Sequence, residues 1–276
     1  MQGTLGRVLV IGGSDSGGGA GIQADLKTIT VLGSYAASAV TALTAQNTLG
    51  VTEVMGVPPR VVAAQIEAVL GDIGADVIKT GMLFNASVTA VVAERCAALA
   101  PHAQLVVDPV VVSSTGHELL SPEGRDVLLE QLVPRAALVT PNVPEAVLLT
   151  GVAIAGPDDL GRAADLLLAR GASAVLVKGG HLEGETVVDL LRTIDGDEVR
   201  FESARVHTRG THGTGCTLAS GIAAGIAEGL TLRDAVARAR DFVVGALAMS
   251  PGLGKGIGPL NHGYRIAPKP DPDAGV

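Results

Sequence analysis

Short apolar runs alternate with amphipathic stretches along most of the 276-residue chain. Short apolar runs are typical of strands buried on both faces, and apolar positions at helical spacing between them are typical of covering helices. The predicted strands are Arg7–Ile11, Tyr35–Leu43, Asp76–Lys79, Leu105–Asp108, Ala137–Thr140 and Ala174–Lys178. The predicted helices are Gly21–Leu32, Pro59–Leu70, Ala86–Leu99, Pro122–Leu132 and Leu160–Arg170. This β-then-α order predicts an α/β fold with a mostly parallel central sheet and helices on both faces.

The pattern changes toward the C-terminus. Val187–Ile194 and Val199–Ser203 are separated by Asp195-Gly196, a dipeptide that favours a tight hairpin turn. Two further helices are predicted at Gly215–Glu228 and Leu232–Met249. Beyond Gly263 the chain carries three prolines among polar residues, which predicts a disordered tail over residues 264–276. No linker divides the rest, so we expect one domain over residues 1–263.

Composition and charge narrow the class of protein. The formal net charge of -8 disfavours binding to nucleic acid or to an anionic membrane. The uncharged stretch Thr28–Thr52 is long enough to span a bilayer, but its many polar residues favour a helix end followed by strands. The only cysteines are Cys96 and Cys216, too few for a disulfide framework. Together with the lack of a recognisable targeting segment, this predicts a reducing, cytoplasmic location.

Polar and glycine-rich segments follow the predicted strands. In a parallel sheet, ligands bind beyond the carboxyl ends of the strands, so these segments are expected to line one site. They are Gly12–Gly21, Thr80–Met82, Asp108, Asn142–Glu145, Lys178–His181 and the turn before Gly215.

The turn before Gly215 is the most specific of these segments. Residues 207–217 place a glycine-rich turn at the start of an Ala- and Gly-rich helix, whose free N–H groups suit an anion. Cys216 falls in the first helical turn, where a thiol pKa is commonly lowered. A buried, inert cysteine is the alternative, and it is the interpretation we adopt for Cys96. The glycine run at 12–21 fits either a ligand-binding loop or a flexible turn.

Three charged residues each allow a structural and a functional interpretation. Asn142 and Glu145 have the spacing of a capping box, yet Glu145 would also suit a hydrated Mg²⁺. Asp108 before Pro109 either terminates a strand or provides a second Mg²⁺ ligand. Lys178 is either a solvated strand end or a contact for phosphate oxygens. The histidines show no spacing typical of a zinc site.

Taken together and in order, these segments resemble the hydroxymethylpyrimidine and phosphomethylpyrimidine kinases of thiamine biosynthesis, within the ribokinase-like superfamily. The resemblance covers roughly residues 7–263 and is far more specific than any single motif. It is carried by GSDSGGGAGIQADLKT, TALTAQNT, KTGML, VVDPV, TPNVPEA, LVKGGH, THGTGCTLAS and GKGIGPLNH.

The resemblance implies a fold, a reaction and a set of roles. It implies a three-layer α/β/α sandwich, ATP and Mg²⁺, a homodimer, and two successive phosphorylations of 4-amino-5-hydroxymethyl-2-methylpyrimidine. Gln46 would bind the aminopyrimidine, in a pocket also lined by Gly13, Asp25, Met82 and Val110. Asp108 and Glu145 would serve Mg²⁺. ATP would contact Asn142, Lys178, Thr211, Gly213 and Gly215, and catalysis would involve Lys178, Gly213, Thr214, Gly215 and Cys216.

Two other functions remain open from the sequence. Sugar kinases of the superfamily carry an aspartate base where this chain has Cys216, which argues against a sugar substrate and leaves the identity of the base open. A pyridoxal kinase on the same scaffold is the nearest alternative. A non-catalytic vitamin- or nucleotide-binding protein is the other, although the joint presence of Asp108, Glu145 and Lys178 argues against it.

Overall fold

The central feature of the fold is a mostly parallel nine-stranded sheet, seen in a computed structural model that describes residues 5–112, 116 and 118–266. The strands lie in the order β3-β2-β1-β4-β5-β6-β7-β8-β9. The six strands from β2 to β7 in this order are parallel, whereas β3, β8 and β9 pair antiparallel at the two edges. Their bounds are β1 Arg7–Asp15, β2 Tyr35–Asn47, β3 Gly50–Gly56, β4 Val77–Thr80, β5 Gln104–Val107, β6 Leu138–Val139, β7 Ala174–Val177, β8 Thr186–Thr193 and β9 Glu198–Ala204.

Helices cover both faces of this sheet, and the residues of β1 show why. Val8 and Val10 belong to a buried cluster shared with α1, α7 and α8, whereas Leu9 and Ile11 pack with α2, α3, α5 and α6 on the other side. Both faces are therefore apolar, as a doubly covered parallel sheet requires. The predicted three-layer α/β/α sandwich is confirmed. The helices are α1 Gly21–Val31, α2 Pro59–Asp72, α3 Ala86–Leu99, α4 Pro122–Val127, α5 Val143–Thr150, α6 Leu160–Leu168, α7 Thr214–Ala227 and α8 Leu232–Ala248.

Several boundaries differ from the predicted ones. β1 continues to Asp15 because its last residues still pair with β2, after a register shift between Gly12 and Ser14. β3 was not predicted, since it is an exposed edge strand without a continuous apolar run. The helix predicted over Pro122–Leu132 is regular only to Val127. A π-helical turn and then a 3-10 turn over Val133–Arg135 follow it, and the 3-10 turn contains Pro134, which has no N–H to continue an α-helix.

The hairpin predicted around Asp195-Gly196 is confirmed by the antiparallel pairing of β8 with β9. Of the predicted tail, residues 264–266 form a turn in which the ring of Tyr264 lies 5.4 Å from that of Phe242. Residues 267–276 lie outside the described residues. Within the part of the chain that is described, no helix is both long and apolar enough to cross a membrane.

Candidate active site

A cavity of about 640 Å³ opens at the carboxyl ends of the parallel strands. Strand ends, loops and the first turn of α7 all contribute to its wall. Each residue for which the sequence predicted a site role borders it, so the topology brings together segments that are far apart in the chain. These residues are Gly13, Asp25, Gln46, Met82, Asp108, Val110, Asn142, Glu145, Lys178, Thr211, Gly213, Thr214, Gly215 and Cys216.

Lys178 lies between two buried carboxylates in the wall of the cavity. Its Nζ donates a hydrogen bond to Asp108 Oδ1 at 3.0 Å and lies 4.0 Å from Glu145 Oε2. Burial alone would lower the pKa of Lys178, but the two carboxylates raise it. Burial alone would raise the pKa of Asp108, yet the charges of Lys178 and Lys79 and its hydrogen bonds hold it below the ordinary value. Lys178 and Asp108 therefore form a charged pair facing the cavity.

Glu145 forms the capping box that its spacing predicted, and its role toward Mg²⁺ stays a prediction. Its backbone N–H donates to Asn142 Oδ1 at 2.9 Å, and its Oε2 accepts from the Asn142 N–H at 2.8 Å, which completes a capping box for α5. The same carboxylate faces Lys178. Burial, together with the charge of Asp108, raises the pKa of Glu145 to about 7 despite the opposing charge of Lys178. The start of α5 therefore holds the Glu145 side chain in place, and a nearby positive charge stabilises its ionised form.

The carboxylates of Asp108 and Glu145 fit a Mg²⁺ site of the kind that relies on few protein ligands. Mg²⁺ binds oxygen, keeps several waters, and commonly uses one or two carboxylates together with substrate phosphates. Among the described residues, no group of three or more His, Cys, Asp or Glu side chains is placed to hold a metal. A metal at these two carboxylates would thus be completed by water and by a nucleotide.

The turn into α7 is built around glycine. Gly213 has φ +89°, and a Cβ there would lie 1.8 Å from the carbonyl oxygen of Gly19, so only glycine fits. A Cβ at Gly215 would lie 3.2 Å from Lys178 Nζ, which shows how closely that ammonium group approaches the helix start. The first N–H groups of α7 have no partner within the helix, and Gly213 provides no capping side chain. The Thr214 N–H donates to the carbonyl oxygen of Thr211 at 3.3 Å, so the Gly215 and Cys216 N–H groups are the donors that remain beside the Lys178 ammonium group.

Cys216 is the residue for which the sequence left a site thiol and a buried, inert cysteine open. The half-buried residue lies in the first turn of α7, where the helix start was expected to lower the thiol pKa. Instead, burial and the nearby charges of Asp25 and Asp108 raise the pKa to about 12, against the opposing effect of Lys79. In the protein without ligands the Cys216 thiol is therefore protonated at neutral pH, and its role in catalysis stays a prediction. Burial likewise raises the pKa of Cys96 to about 12, as an inert core cysteine requires.

An enclosed ion pair forms part of the cavity floor and was not predicted. Lys79 Nζ lies 3.0 Å from both carboxylate oxygens of Asp25, and Ser220 Oγ donates to Asp25 Oδ1 at 2.6 Å. Asp25 thus borders the cavity as expected, but its oxygens are already engaged by protein donors. Lys79 lies within the short buried strand β4, and no local pattern in the sequence indicates its partner.

Asp15 and His212 are two further site residues without a predicted role. The Asp15 carboxylate accepts backbone N–H groups from the glycine-rich turn, those of Gly17 at 2.8 Å, Gly19 at 3.0 Å and Ala20 at 2.8 Å. His212 Nε2, from the turn before α7, lies 2.9 Å from Asp15 Oδ2. An aspartate followed two residues later by glycine is a signal for such a side-chain-to-backbone turn. The contact with His212, 197 residues away, has no sequence signal.

Gly13, Gln46 and Met82 line another part of the cavity wall. A Cβ at Gly13 would lie 2.7 Å from Met82 Sδ, so a glycine leaves room there beside the methionine. The Gln46 backbone is fixed by Ser16, whose Oγ accepts from the Gln46 N–H and donates to its carbonyl oxygen, both at 2.8 Å. The amide side chain of Gln46 borders the cavity. This part of the wall offers one paired donor and acceptor among mostly apolar atoms.

Known proteins resemble this chain over most of its length. A family model described as phosphomethylpyrimidine kinase matches residues 15–261. A thiamine biosynthesis bifunctional protein of Geobacter sulfurreducens is 50% identical over 93% of the chain, which spans 52% of that protein's length. A hydroxymethylpyrimidine/phosphomethylpyrimidine kinase of Rhizobium meliloti is 48% identical, over 93% of the chain and 97% of the relative. The pyridoxal kinase of Staphylococcus aureus, solved with ADP, superimposes with a TM-score of 0.88 at 34% identity, over 96% of both chains.

Proposed function

The chain belongs to the phosphomethylpyrimidine kinase family, and on that premise we propose that it phosphorylates a pyrimidine alcohol at the expense of ATP. The alcohol is 4-amino-5-hydroxymethyl-2-methylpyrimidine, and its monophosphate is the second substrate, converted to the diphosphate for thiamine biosynthesis.

One observation carries this proposal: a single cavity is lined by two chemically different groups of residues. Lys178, the two carboxylates and the start of α7 form a charged group suited to phosphates. Gln46, Gly13 and Met82 form the other group, suited to a small ring that carries paired hydrogen-bonding groups. A kinase needs these two groups to line one cavity, because the acceptor hydroxyl must reach the terminal phosphate of ATP.

The first step transfers one phosphoryl group. The substrate hydroxyl oxygen forms a bond to the terminal phosphorus of ATP, the bond from that phosphorus to the bridging oxygen breaks, and ADP leaves with the bond's electrons. The hydroxyl proton is released as the new ester forms. Because such transition states are loose, positioning and charge stabilisation supply most of the rate. Lys178 and the free N–H groups of α7 are placed to stabilise the charge on the transferred group.

The second step uses the same groups on a different acceptor. An oxygen of the monophosphate attacks the terminal phosphorus of a second ATP, and a second ADP leaves. In both steps Asp108 and Glu145 would hold Mg²⁺, which supplies charge neutralisation between the phosphates. Asn142 and Thr211 also border the cavity, and we assign them to ATP.

A pyridoxal kinase remains the second candidate, favoured by the close superposition with the Staphylococcus aureus enzyme. The identities to hydroxymethylpyrimidine/phosphomethylpyrimidine kinases are higher, which places the pyrimidine first. The test is incubation of the purified protein with ATP, Mg²⁺ and either the pyrimidine alcohol, its monophosphate or pyridoxal, with products identified by mass spectrometry. We expect pyrimidine monophosphate and then diphosphate. Phosphorylation of pyridoxal alone would overturn the proposal.

Three further properties belong to the same proposal. We assign residues 1–263 to one kinase domain, the location to the cytoplasm and the assembly to a homodimer. Exposed apolar side chains near the β3 edge, Leu49 and Met55 among them, are consistent with a subunit contact. Light scattering on the purified protein tests the dimer, and a monomer at micromolar concentration would contradict it. Cell fractionation tests the location.

A further inference from the structure

Gln46 and His212 contact each other through two nitrogen atoms, and the question is which of them donates the hydrogen bond. His212 Nε2 lies 2.9 Å from Asp15 Oδ2 and 3.3 Å from Gln46 Nε2. A ring nitrogen either carries a hydrogen or offers a lone pair, so it cannot donate to one neighbour and accept from the other at the same time. If Asp15 requires a hydrogen on His212 Nε2, that nitrogen can only donate to Gln46. The Gln46 amide must then turn its oxygen toward His212.

Asp15 decides the state of His212. Its carboxylate accepts three backbone N–H groups as well as the histidine contact. Although burial alone would raise the pKa of Asp15, its hydrogen bonds lower it. The three backbone donors favour the ionised carboxylate independently of His212, and an ionised carboxylate can only accept. Hydrogen bonds to an ionised acceptor are shorter and stronger than neutral ones. His212 Nε2 therefore carries a hydrogen directed at Asp15, and it presents a donor to Gln46.

Thr44 imposes the same polarity from the other side of the amide. The Thr44 hydroxyl has one hydrogen, which can be donated either to the carbonyl oxygen of Ser14 at 2.9 Å or to Gln46 Oε1 at 3.1 Å. We place the hydrogen on the shorter contact, to Ser14, and only lone pairs of the Thr44 oxygen then face Gln46 Oε1. An acceptor facing the amide oxygen and a donor facing the amide nitrogen are both mismatched. A half-turn of the amide exchanges its nitrogen and oxygen, which differ little in size, and matches both contacts.

We propose that Asp15, His212 and Thr44 fix the Gln46 amide with its NH₂ toward Thr44 and its oxygen toward His212, and thereby select an aminopyrimidine over an oxopyrimidine. After the half-turn, the amide NH₂ donates one hydrogen to Thr44 Oγ1, and the amide oxygen shares the His212 N–H with Asp15. One amide hydrogen and one oxygen lone pair remain for the substrate. His212 and Thr44 are positioning residues in this scheme, because they act through Gln46.

The chemistry of the substrate follows from this fixed edge. A 4-aminopyrimidine presents an amino donor beside a ring-nitrogen acceptor, which complements the free oxygen and the free N–H of Gln46. The 4-oxo analogue presents a carbonyl acceptor beside a ring N–H, so both contacts are mismatched. An amide free to turn would accept either ring, whereas an amide fixed by its neighbours accepts one. The inference rests on the proposed function, since it concerns the pyrimidine-binding part of that site.

The test compares two alcohols on the intact protein, 4-amino-5-hydroxymethyl-2-methylpyrimidine and its 4-oxo analogue. The measured quantity is the ratio of kcat/KM for the amino compound to that for the oxo compound. Mispaired buried polar groups are costly, so we expect the wild type to favour the amino compound roughly ten- to hundredfold. His212→Leu should reduce this ratio about tenfold, mainly through KM for the pyrimidine, while KM for ATP changes little.

Conservative variants separate positioning from packing. His212→Gln places an NH₂ group near the Nε2 position, and its two hydrogens can serve Asp15 and Gln46, so the ratio should be retained. Thr44→Val removes the acceptor for the amide NH₂ and should lower the ratio, whereas Thr44→Ser should keep it. His207→Asn is the matched control, since His207 is exposed in the same segment and pairs with Glu185. Its ratio should equal that of the wild type.

The possible results distinguish failure of this inference from failure of the proposed function. A wild-type ratio that persists in folded His212→Leu and Thr44→Val overturns the inference alone, because the pyrimidine is then still turned over. No turnover of either pyrimidine by the wild type overturns the proposed function and the inference with it. Circular dichroism verifies that each variant is folded, and if His212→Leu is not, the Thr44 pair carries the test.

Discussion

Lys79 and Asp25 form an ion pair that is enclosed by the protein, with Nζ 3.0 Å from both carboxylate oxygens and no more than 2% of either side chain exposed. The pair joins β4 to α1, and Ser220 ties it to α7. Burial opposes both charges, yet the carboxylates nearby raise the pKa of Lys79 above its ordinary value. Each charge is thus tolerated because the other is present.

Removing one partner of this pair should destabilise the protein strongly. Lys79→Met leaves the Asp25 carboxylate without its main partner, and breaking a buried pair in this way costs about 3–5 kcal/mol. Urea unfolding followed by circular dichroism measures the loss. The double variant Lys79→Met/Asp25→Asn should recover part of it, because no buried charge is left unpaired.

An exposed ion pair on the same protein provides the control. Arg95 Nη1 lies 3.3 Å from Glu67 Oε1, and 47% of the Glu67 side chain is exposed. Glu67→Gln should cost no more than about 1 kcal/mol, as exposed pairs usually do. If Lys79→Met were as mild as Glu67→Gln, water would have to reach the Lys79 site, and the pair would not be enclosed.

Glu145→Gln should separate the two roles that meet in Glu145. Glutamine also serves at the capping-box position, so α5 and the unfolding free energy should be close to wild type. The carboxylate charge is lost, so the Mg²⁺ concentration for half-maximal activity should rise by about tenfold or more. Titration of activity against Mg²⁺ at fixed ATP measures this. An unchanged Mg²⁺ dependence would mean that Glu145 is only a helix cap.

The sequence predicted the site best where the same residues indicate both a secondary-structure element and a functional side chain. Asp108 and Lys178 each end an apolar run, so the run predicted both the buried strand and the position of the charge at its carboxyl end. The capping box of Asn142 and Glu145 was visible for the same reason, because its spacing is local. No single local pattern identifies a family. The resemblance to one kinase family came from the whole set of motifs taken in order.

Features that depend on distant contacts could not be predicted in this way. Lys79 and Asp25 are 54 residues apart, and only the packing of α1 against β4 brings them together. The pKa of Cys216 was predicted from the helix start alone, whereas the enclosing carboxylates, Asp25 and Asp108, come from other segments. The β3 strand escaped notice because an exposed edge needs no continuous apolar run.

His262 should make the stability of the protein depend on pH. Its Nε2 lies 2.9 Å from Thr217 Oγ1, whose own hydrogen goes to the carbonyl oxygen of Gly213, so the ring donates in its neutral form. Burial, with a smaller effect of Lys27, lowers the pKa of His262 to about 4 from an ordinary 6.5. A lowered pKa stabilises the fold above pH 6.5, and this contribution is lost as the pH falls toward 4.

A variant without the titrating ring isolates that contribution. His262→Gln retains an N–H donor but does not titrate, so its unfolding free energy should fall less steeply with acid than that of the wild type. Between pH 7 and 4.5 the difference between the two proteins should shift by about 2–3 kcal/mol in favour of the variant. Urea unfolding at several pH values measures it. Parallel curves would show that His262 keeps its ordinary pKa in the folded protein.

Cys216 stands where sugar kinases of the wider superfamily carry an aspartate base, and its pKa argues against the same role for the thiol. With a pKa of about 12, fewer than about one molecule in 10⁴ carries the thiolate at neutral pH. A working general base contributes about 10²–10⁴-fold to the rate, so Cys216→Ala should lose clearly less than that, with KM for ATP unchanged. The pH–rate profiles of the two proteins should have the same shape.

Alkylation provides a second measurement of the ionisation of the Cys216 thiol. Iodoacetamide labelling of Cys216, followed by mass spectrometry, should rise steadily with pH and show no plateau below pH 9, since the thiolate is the reactive form. Cys96 is buried and serves as the internal reference. A loss of about 10³-fold in Cys216→Ala, together with a limb missing from its pH–rate profile, would contradict this prediction. The thiol would then act as the base once ATP and the pyrimidine are bound, and its pKa would have to fall on their binding.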